Sequence, residues 1–120
     1  MQRTLDGAPI TIHGDGLQTR DFVHVDNVVS ANLLASRAAD APGGVFNIGS
    51  GLQTSILELT QKIAEVVGSA TSVTHSEARH GDVRHSVADI SLAERVLGYT
   101  PDVDLMTGLE RTVSWQREQR

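Results

Sequence analysis

Two arginines and an aspartate stand apart from any helix face in this sequence. Arg20 precedes Asp21-Phe22, and Arg79 and Asp82 frame the segment Arg79-His-Gly-Asp82. A guanidinium presents a planar fork that matches phosphate oxygens two at a time, and a diphosphate has enough oxygens for two forks. A carboxylate beside them accepts hydrogen bonds from two neighbouring ribose hydroxyls, and Gly81 lets the backbone come close to such a ligand. Spacing alone leaves open, and favours, the alternative of surface arginines in ordinary loop salt bridges.

Other candidate chemistry is weaker. Asn47-Ile-Gly-Ser-Gly51 runs from an apolar segment through glycines towards a helix, as a phosphate cradle does. It lacks the third glycine and the later acidic residue of a dinucleotide fingerprint, so a tight strand-to-helix turn explains it better. Asn47 inside an apolar run suits a side chain that ties down a neighbouring loop. His80 and His85 flank Asp82, but no pair shares the spacing of helical metal ligands, and no metal site is expected. Asp15, Asp21 and Asp26 offer a remote carboxylate pair for glycoside chemistry. Asp26 reads better as a helix cap and Asp15 as a turn residue.

Composition narrows the field. The chain has 120 residues, enough for one domain, and 39% of them are hydrophobic, which supplies a core. A net charge of −5 disfavours nucleic acid and anionic membranes as partners. With no Cys, disulfides, thiolate zinc sites and cysteine nucleophiles drop out together. No apolar run reaches the length of a membrane span, so a soluble, cytoplasmic domain is expected. Tyr99 is the sole tyrosine and Lys62 the sole lysine, so a helical Tyr-x-x-x-Lys pair cannot arise within this chain.

The elements that must hold these residues alternate between strand and helix. Residues 1–6 read as a ragged start, Ile10–Ile12 as a strand and Phe22–Val25 as a second strand. The two suggest a hairpin with a long loop, or strands joined across a site. A helix follows from an Asp26 cap to about Ala39, stopped by Ala41-Pro-Gly-Gly44. Val45–Ile48 reads as a short strand. Ser55-Ile-Leu-Glu58 is a capping box opening an apolar stripe that ends at Gly68. Thr71–Thr74 suits a strand, and residues 75–90 are polar and irregular. Ser91 opens a short helix closed by Gly98, and Leu105 to about Glu118 a last one. The pattern is α/β.

Taken together, these segments resemble the C-terminal portion of the extended short-chain dehydrogenase/reductase family, in its NAD-dependent epimerase/dehydratase branch. The matching stretches are Ile10 to Asp26, Val45-Phe-Asn-Ile-Gly-Ser-Gly51, Arg79 to Asp89, Leu97-Gly-Tyr-Thr-Pro101 and Gly108 to Trp115. The nearest group is the UDP-glucose 4-epimerases and their N-acetylated relatives. The resemblance implies that Arg20 and Arg79 bind the diphosphate of a UDP-sugar and Asp82 its ribose. It implies a small substrate-binding lobe plus the last strand and helices of a parallel, Rossmann-like sheet, which Val45–Ile48 would join. It implies NAD as cofactor, held by an N-terminal part this chain does not contain, together with the Tyr-x-x-x-Lys pair. No catalytic, NAD-binding or metal-binding residue is therefore expected here, and the chain alone is expected to be inactive. In the family, NAD takes a hydride from C4 of the sugar and returns it after the keto sugar rotates. Expected partners are a UDP-sugar, the missing N-terminal half and, for the full-length enzyme, a second copy. The runner-up readings are the same part of a nucleotide-sugar 4,6-dehydratase or reductase, and a non-catalytic binding module or remnant.

Overall fold

The computed structural model describes residues 1–119. In chain order it contains α1 (Gln2–Leu5), β1 (Ile10–His13), β2 (Thr19–Arg20), α2 (Val25–Ala35), β3 (Thr54–Ser55), α3 (Ile56–Val67), β4 (Val73–Ser76), α4 (Ser91–Leu97) and α5 (Leu105–Glu118). The α/β pattern read from the sequence holds.

The strands do not pair as a hairpin. β1 runs parallel to β4, with Ile10 opposite Val73 and His13 opposite Ser76, while β2 pairs antiparallel with β3. Parallel neighbours need a long crossover, and the 59 residues between His13 and Val73 supply it, α2 and α3 included. Phe22–His24 is not a strand, because the chain must turn there to enter α2. His24, not Asp26, caps that helix, its Nδ1 accepting from the Asp26 N–H at 3.2 Å. Asp26 sits in the first turn, where its charge suits the positive end of the helix dipole, and it receives Arg111 Nη1 at 2.7 Å. α2 ends at Ala35, short of Ala39, where the Ser36 hydroxyl turns back onto the Leu33 carbonyl at 2.8 Å. The opening residues are not ragged. α1 is a single helical turn packed against α3, with Thr4 buried and Arg3 donating to the Pro9 carbonyl at 2.8 Å.

α3, α4 and α5 follow the sequence closely. The Ser55 hydroxyl accepts from the Glu58 N–H at 3.1 Å, and Gly68 ends α3 at a φ of +72° that other residues resist. The Asp104 carboxylate caps α5 through the Thr107 N–H at 2.7 Å. Val45–Ile48 forms no ladder among the described residues. A strand needs a neighbour, and Val45 is 86% exposed.

One hydrophobic cluster gathers Ala31, Ala41, Ile90, Ala93, Leu97 and Tyr99, with Phe46 and Ile48 against it. Ile63, Leu109 and Val113 are buried where α3 meets α5. The molecule is a slab of 49 × 36 × 18 Å with a radius of gyration of 16.7 Å. A compact domain of this length would have about 13.6 Å. Val25, Val29 and Leu33, one turn apart on α2, all face outward.

Tyr99 is 1% exposed and its hydroxyl donates to the Gly49 carbonyl at 2.7 Å, so it couples the main cluster to the loop after Ile48. Tyr99→Phe should lower stability by about 1 kcal/mol in urea unfolding. Val45→Ala, at an exposed position with no partner strand, should stay within about 0.5 kcal/mol of the parent.

Candidate functional site

The β1–β4 ladder and the short β2 strand meet at one hollow. The Thr19 N–H donates to the Arg84 carbonyl at 2.9 Å, and the Ser86 N–H returns to the Thr19 carbonyl at 3.2 Å, so β2 grips the segment after Asp82. Arg20 leaves β2 with its Nη1 on the Thr19 carbonyl at 2.7 Å and its Nη2 on Asp82 Oδ1 at 2.5 Å. Three residues past β4, Arg79 folds back and its Nη2 meets His13 Nε2 at 3.1 Å. A guanidinium can only donate, so this His13 nitrogen is the acceptor and the ring proton lies on Nδ1, which faces the Ser76 hydroxyl at 2.9 Å.

Arg20, Arg79 and Asp82, separated by 62 positions at their extremes, thus line one pocket of about 270 Å³ with Thr11, His13 and Gln18. Both Arg20 and Asp82 remain partly open to solvent, at 28% and 36%. The pocket adjoins a second of about 300 Å³ walled by Asp15, Arg84 and again Arg79 and Asp82. Gln18 is buried between them, its amide donating to the His13 carbonyl at 2.8 Å. Two guanidinium forks and a carboxylate on one wall suit a ligand with anionic oxygens at one end and hydroxyls next to them. A separate, mainly apolar hollow of about 250 Å³ between Phe22, Leu59 and Leu109 holds none of these three residues.

The glycine turn does not cradle a phosphate. Its donors are already taken by Asp21, whose carboxylate accepts from the Ser50 N–H at 2.8 Å, the Ser50 hydroxyl at 2.6 Å and the Gly51 N–H at 3.0 Å. A fourth donor arrives from the Ala88 N–H at 3.3 Å. Burial by itself would push the Asp21 carboxyl up, but these donors outweigh it and hold its pKa below the usual value. Gly49 is required for the approach, since a Cβ there would lie 2.5 Å from Asp21 Oδ2 and 2.6 Å from the Ala88 Cβ. Asn47 ties a neighbouring segment as its position suggests, reaching the Asp89 carbonyl at 3.4 Å. Among the described residues no three His, Asp or Glu side chains form a metal-binding set, and no helix is long and apolar enough to cross a membrane.

The family model described as NAD dependent epimerase/dehydratase family matches residues 1–49. The chain is 42% identical over 113 residues to a UDP-glucose 4-epimerase of Mycolicibacterium smegmatis, covering 94% of this chain and 36% of that protein. It is 38% identical over 117 residues to a dTDP-glucose 4,6-dehydratase of Streptomyces griseus, covering 97% and 35%. Its fold superposes on the UDP-glucose 4-epimerase of Thermotoga maritima, solved with UDP-glucose, at a TM-score of 0.92 and 41% identity, covering 98% of this chain and 38% of that one. The chain is thus similar, over nearly its whole length, to proteins of the NAD-dependent epimerase/dehydratase family. It spans about a third of the length of these relatives, corresponding to their C-terminal part.

Sequence reading missed His13 and Gln18, which line the pocket from β1 and the loop after it, and the Asp15–Arg84 pair. The alternation of Ile10 to His13 carried a signal, since it sets His13 and Thr11 on the face opposite buried Ile12. Asp15 does serve its turn, accepting from the Leu17 N–H at 2.9 Å, but it also takes Arg84 in a two-point contact at 2.7 and 2.9 Å. The Arg84 hydrogen bonds and the Leu17 N–H lower its pKa from 3.8 to about 2. A lowered folded-state value stabilises the fold above pH 3.8, and that contribution fades as pH falls from there through about 2. Carboxyl-carbon NMR should find Asp15 titrating near 2, and Arg84→Gln should return it towards 3.8.

Proposed function

We propose that this chain is the nucleotide-sugar-binding part of an NAD-dependent UDP-sugar 4-epimerase, in which Arg20 and Arg79 hold the diphosphate and Asp82 the ribose. The observation that carries the reading is the convergence of these three side chains, from two distant loops, on one pocket. Their chemistry matches a nucleoside diphosphate in order: hydroxyls at the carboxylate, phosphate oxygens at the forks. In this reading the chain's work is to grip the nucleotide end and leave the sugar free to turn.

NAD supplies the hydride chemistry in the whole enzyme, and the residues here do not offer it a seat. The one glycine turn between an apolar segment and a helix has its amides filled by Asp21. Tyr99, the sole tyrosine, is buried with its hydroxyl on Gly49, far in sequence from the sole lysine, Lys62. We therefore assign the cofactor loop and the proton-transferring tyrosine to the remainder of the enzyme. The outward stripe of Val25, Val29 and Leu33, with Val45 beyond any ladder, supports that remainder as the partner of this face. A homodimer and a cytoplasmic location belong to the same reading of the full-length enzyme. A dehydratase of the same family is the second reading, favoured by the 38% identity to the Streptomyces griseus protein.

Calorimetry with UDP on the chain joined to the remainder of its enzyme tests the site. Arg20→Ala and Arg79→Ala should each weaken UDP about 10- to 150-fold, the equivalent of one charge-assisted phosphate contact. Arg→Lys should recover part of this, and Asp82→Asn should lose less, since an amide still accepts one ribose hydrogen bond. Parental UDP affinity in both alanine variants would return these arginines to the role of surface salt bridges.

The chain by itself should show no turnover of UDP-galactose with added NAD and no NAD binding. Activity in protein freed of host epimerase would overturn the assignment of the chemistry to the remainder.

A further inference from the structure

The Asp21 carboxylate reaches into two distant loops at once. It follows Arg20 directly, yet its side chain turns away from the pocket and into the 50–51 turn and the Ala88 amide. Its four donors are N–H and O–H groups from segments 29 to 67 positions away. Arg20, next in the chain, points the opposite way, into the pocket and onto Asp82. Ala88 closes the far end of the segment that begins with Arg79 and Asp82 and is gripped by β2 through Arg84 and Ser86. Asp21 therefore holds both ends of the geometry: the backbone from which Arg20 leaves, and the tail of the loop that carries its pocket partners.

We propose that Asp21 is a positioning residue of the anion site, acting through Arg20. Its carboxylate fills the amide nest of the Gly49–Gly51 turn as an internal anion and locks the β2 end against the 82–88 segment. Arg20 and Asp82 then face the ligand at a fixed separation. Gly49 serves this contact, since no side chain fits between its Cα and the Asp21 carboxylate. The inference rests on the diphosphate-binding reading and names the group that sets it up.

The test compares UDP with uridine, which lacks the diphosphate, in Asp21→Asn and in Ser50→Ala. Asp21→Asn replaces one accepting oxygen by a donor that faces N–H groups, and Ser50→Ala removes one donor and leaves the carboxylate in place. If Asp21 aims Arg20, Asp21→Asn should weaken UDP about 10- to 100-fold and uridine less than about threefold, with Ser50→Ala changing both less in the same order. An equal loss for the two ligands would mean that Asp21 only supports the fold, and the proposal would fail. A ligand-free arm keeps the two readings apart. In NMR spectra of Asp21→Asn, the Arg20 Nε–H and the Asp82 carboxyl carbon should shift along with the Ser50, Gly51 and Ala88 amides. If those amides shift while Arg20 and Asp82 keep their parental signals, the positioning role is overturned. If the parent binds neither ligand, the nucleotide-sugar reading falls, and the NMR arm still decides the role of Asp21.

Discussion

A buried carboxylate costs several kcal/mol unless donors replace the water it loses. Asp21, half-buried, faces part of that cost and meets it with three backbone amides and the Ser50 hydroxyl rather than a cation, and much of the local structure follows from where those donors must be. Ser50 and Gly51 have to present their N–H groups from one turn. Gly49 has to lack a side chain so that the carboxylate can come within reach. The Gly49 carbonyl then points to the cluster between α2 and α4, where the Tyr99 hydroxyl takes it. A polar contact and an apolar cluster are in this way fixed by the same three-residue turn.

The same arrangement explains why a glycine-rich turn before a helix is not a phosphate site here. A nest of amides attracts whichever anion is closest, and an aspartate of the same chain is always at hand. Glycine spacing alone cannot tell an external anion from an internal one. What separates them is a carboxylate 29 positions upstream, and nothing in the turn's own sequence announces it.

Local signals carried α3, α4 and α5, although the cap and end of α2 and the opening turn α1 fell elsewhere than the sequence suggests. Ser55 caps α3, Gly68 and Gly98 end their helices, and α5 runs to Glu118 because capping and periodicity act within a few residues. The larger failures were pairings. Phe22–Val25 has the composition of a strand, but His24 is needed as a cap, and the neighbour of β1 lies 63 positions away in β4. Val45–Ile48 has the composition too, and no neighbour among the described residues. For the site, Arg20, Arg79 and Asp82 stood out because charged residues in loops have no helix face to serve. His13 did not, since a histidine at a strand end is unremarkable until Arg79 folds onto it across the ladder.

The pocket holds its charges in pairs: Arg20 with Asp82, Arg84 with Asp15, and Arg79 on a neutral imidazole. A chain of net charge −5 can thus keep three guanidinium groups close together without mutual repulsion opening the loops. The pairs are not equal. Arg84 is held at two points by a carboxylate that an N–H also steadies, which suits a fixed wall. Arg20 has one contact to Asp82, and Arg79 leans on a nitrogen with no net charge to offer. Phosphate oxygens would compete easily with a neutral imidazole and less easily with a carboxylate. Arg79 is on this ground the fork most readily given over to an incoming anion, while in the proposed reading Arg20 would have to share itself between ligand and Asp82. In the proposed reading that sharing would link the two ends of a nucleoside diphosphate: drawing Arg20 onto a phosphate would free an Asp82 oxygen for a hydroxyl beside it.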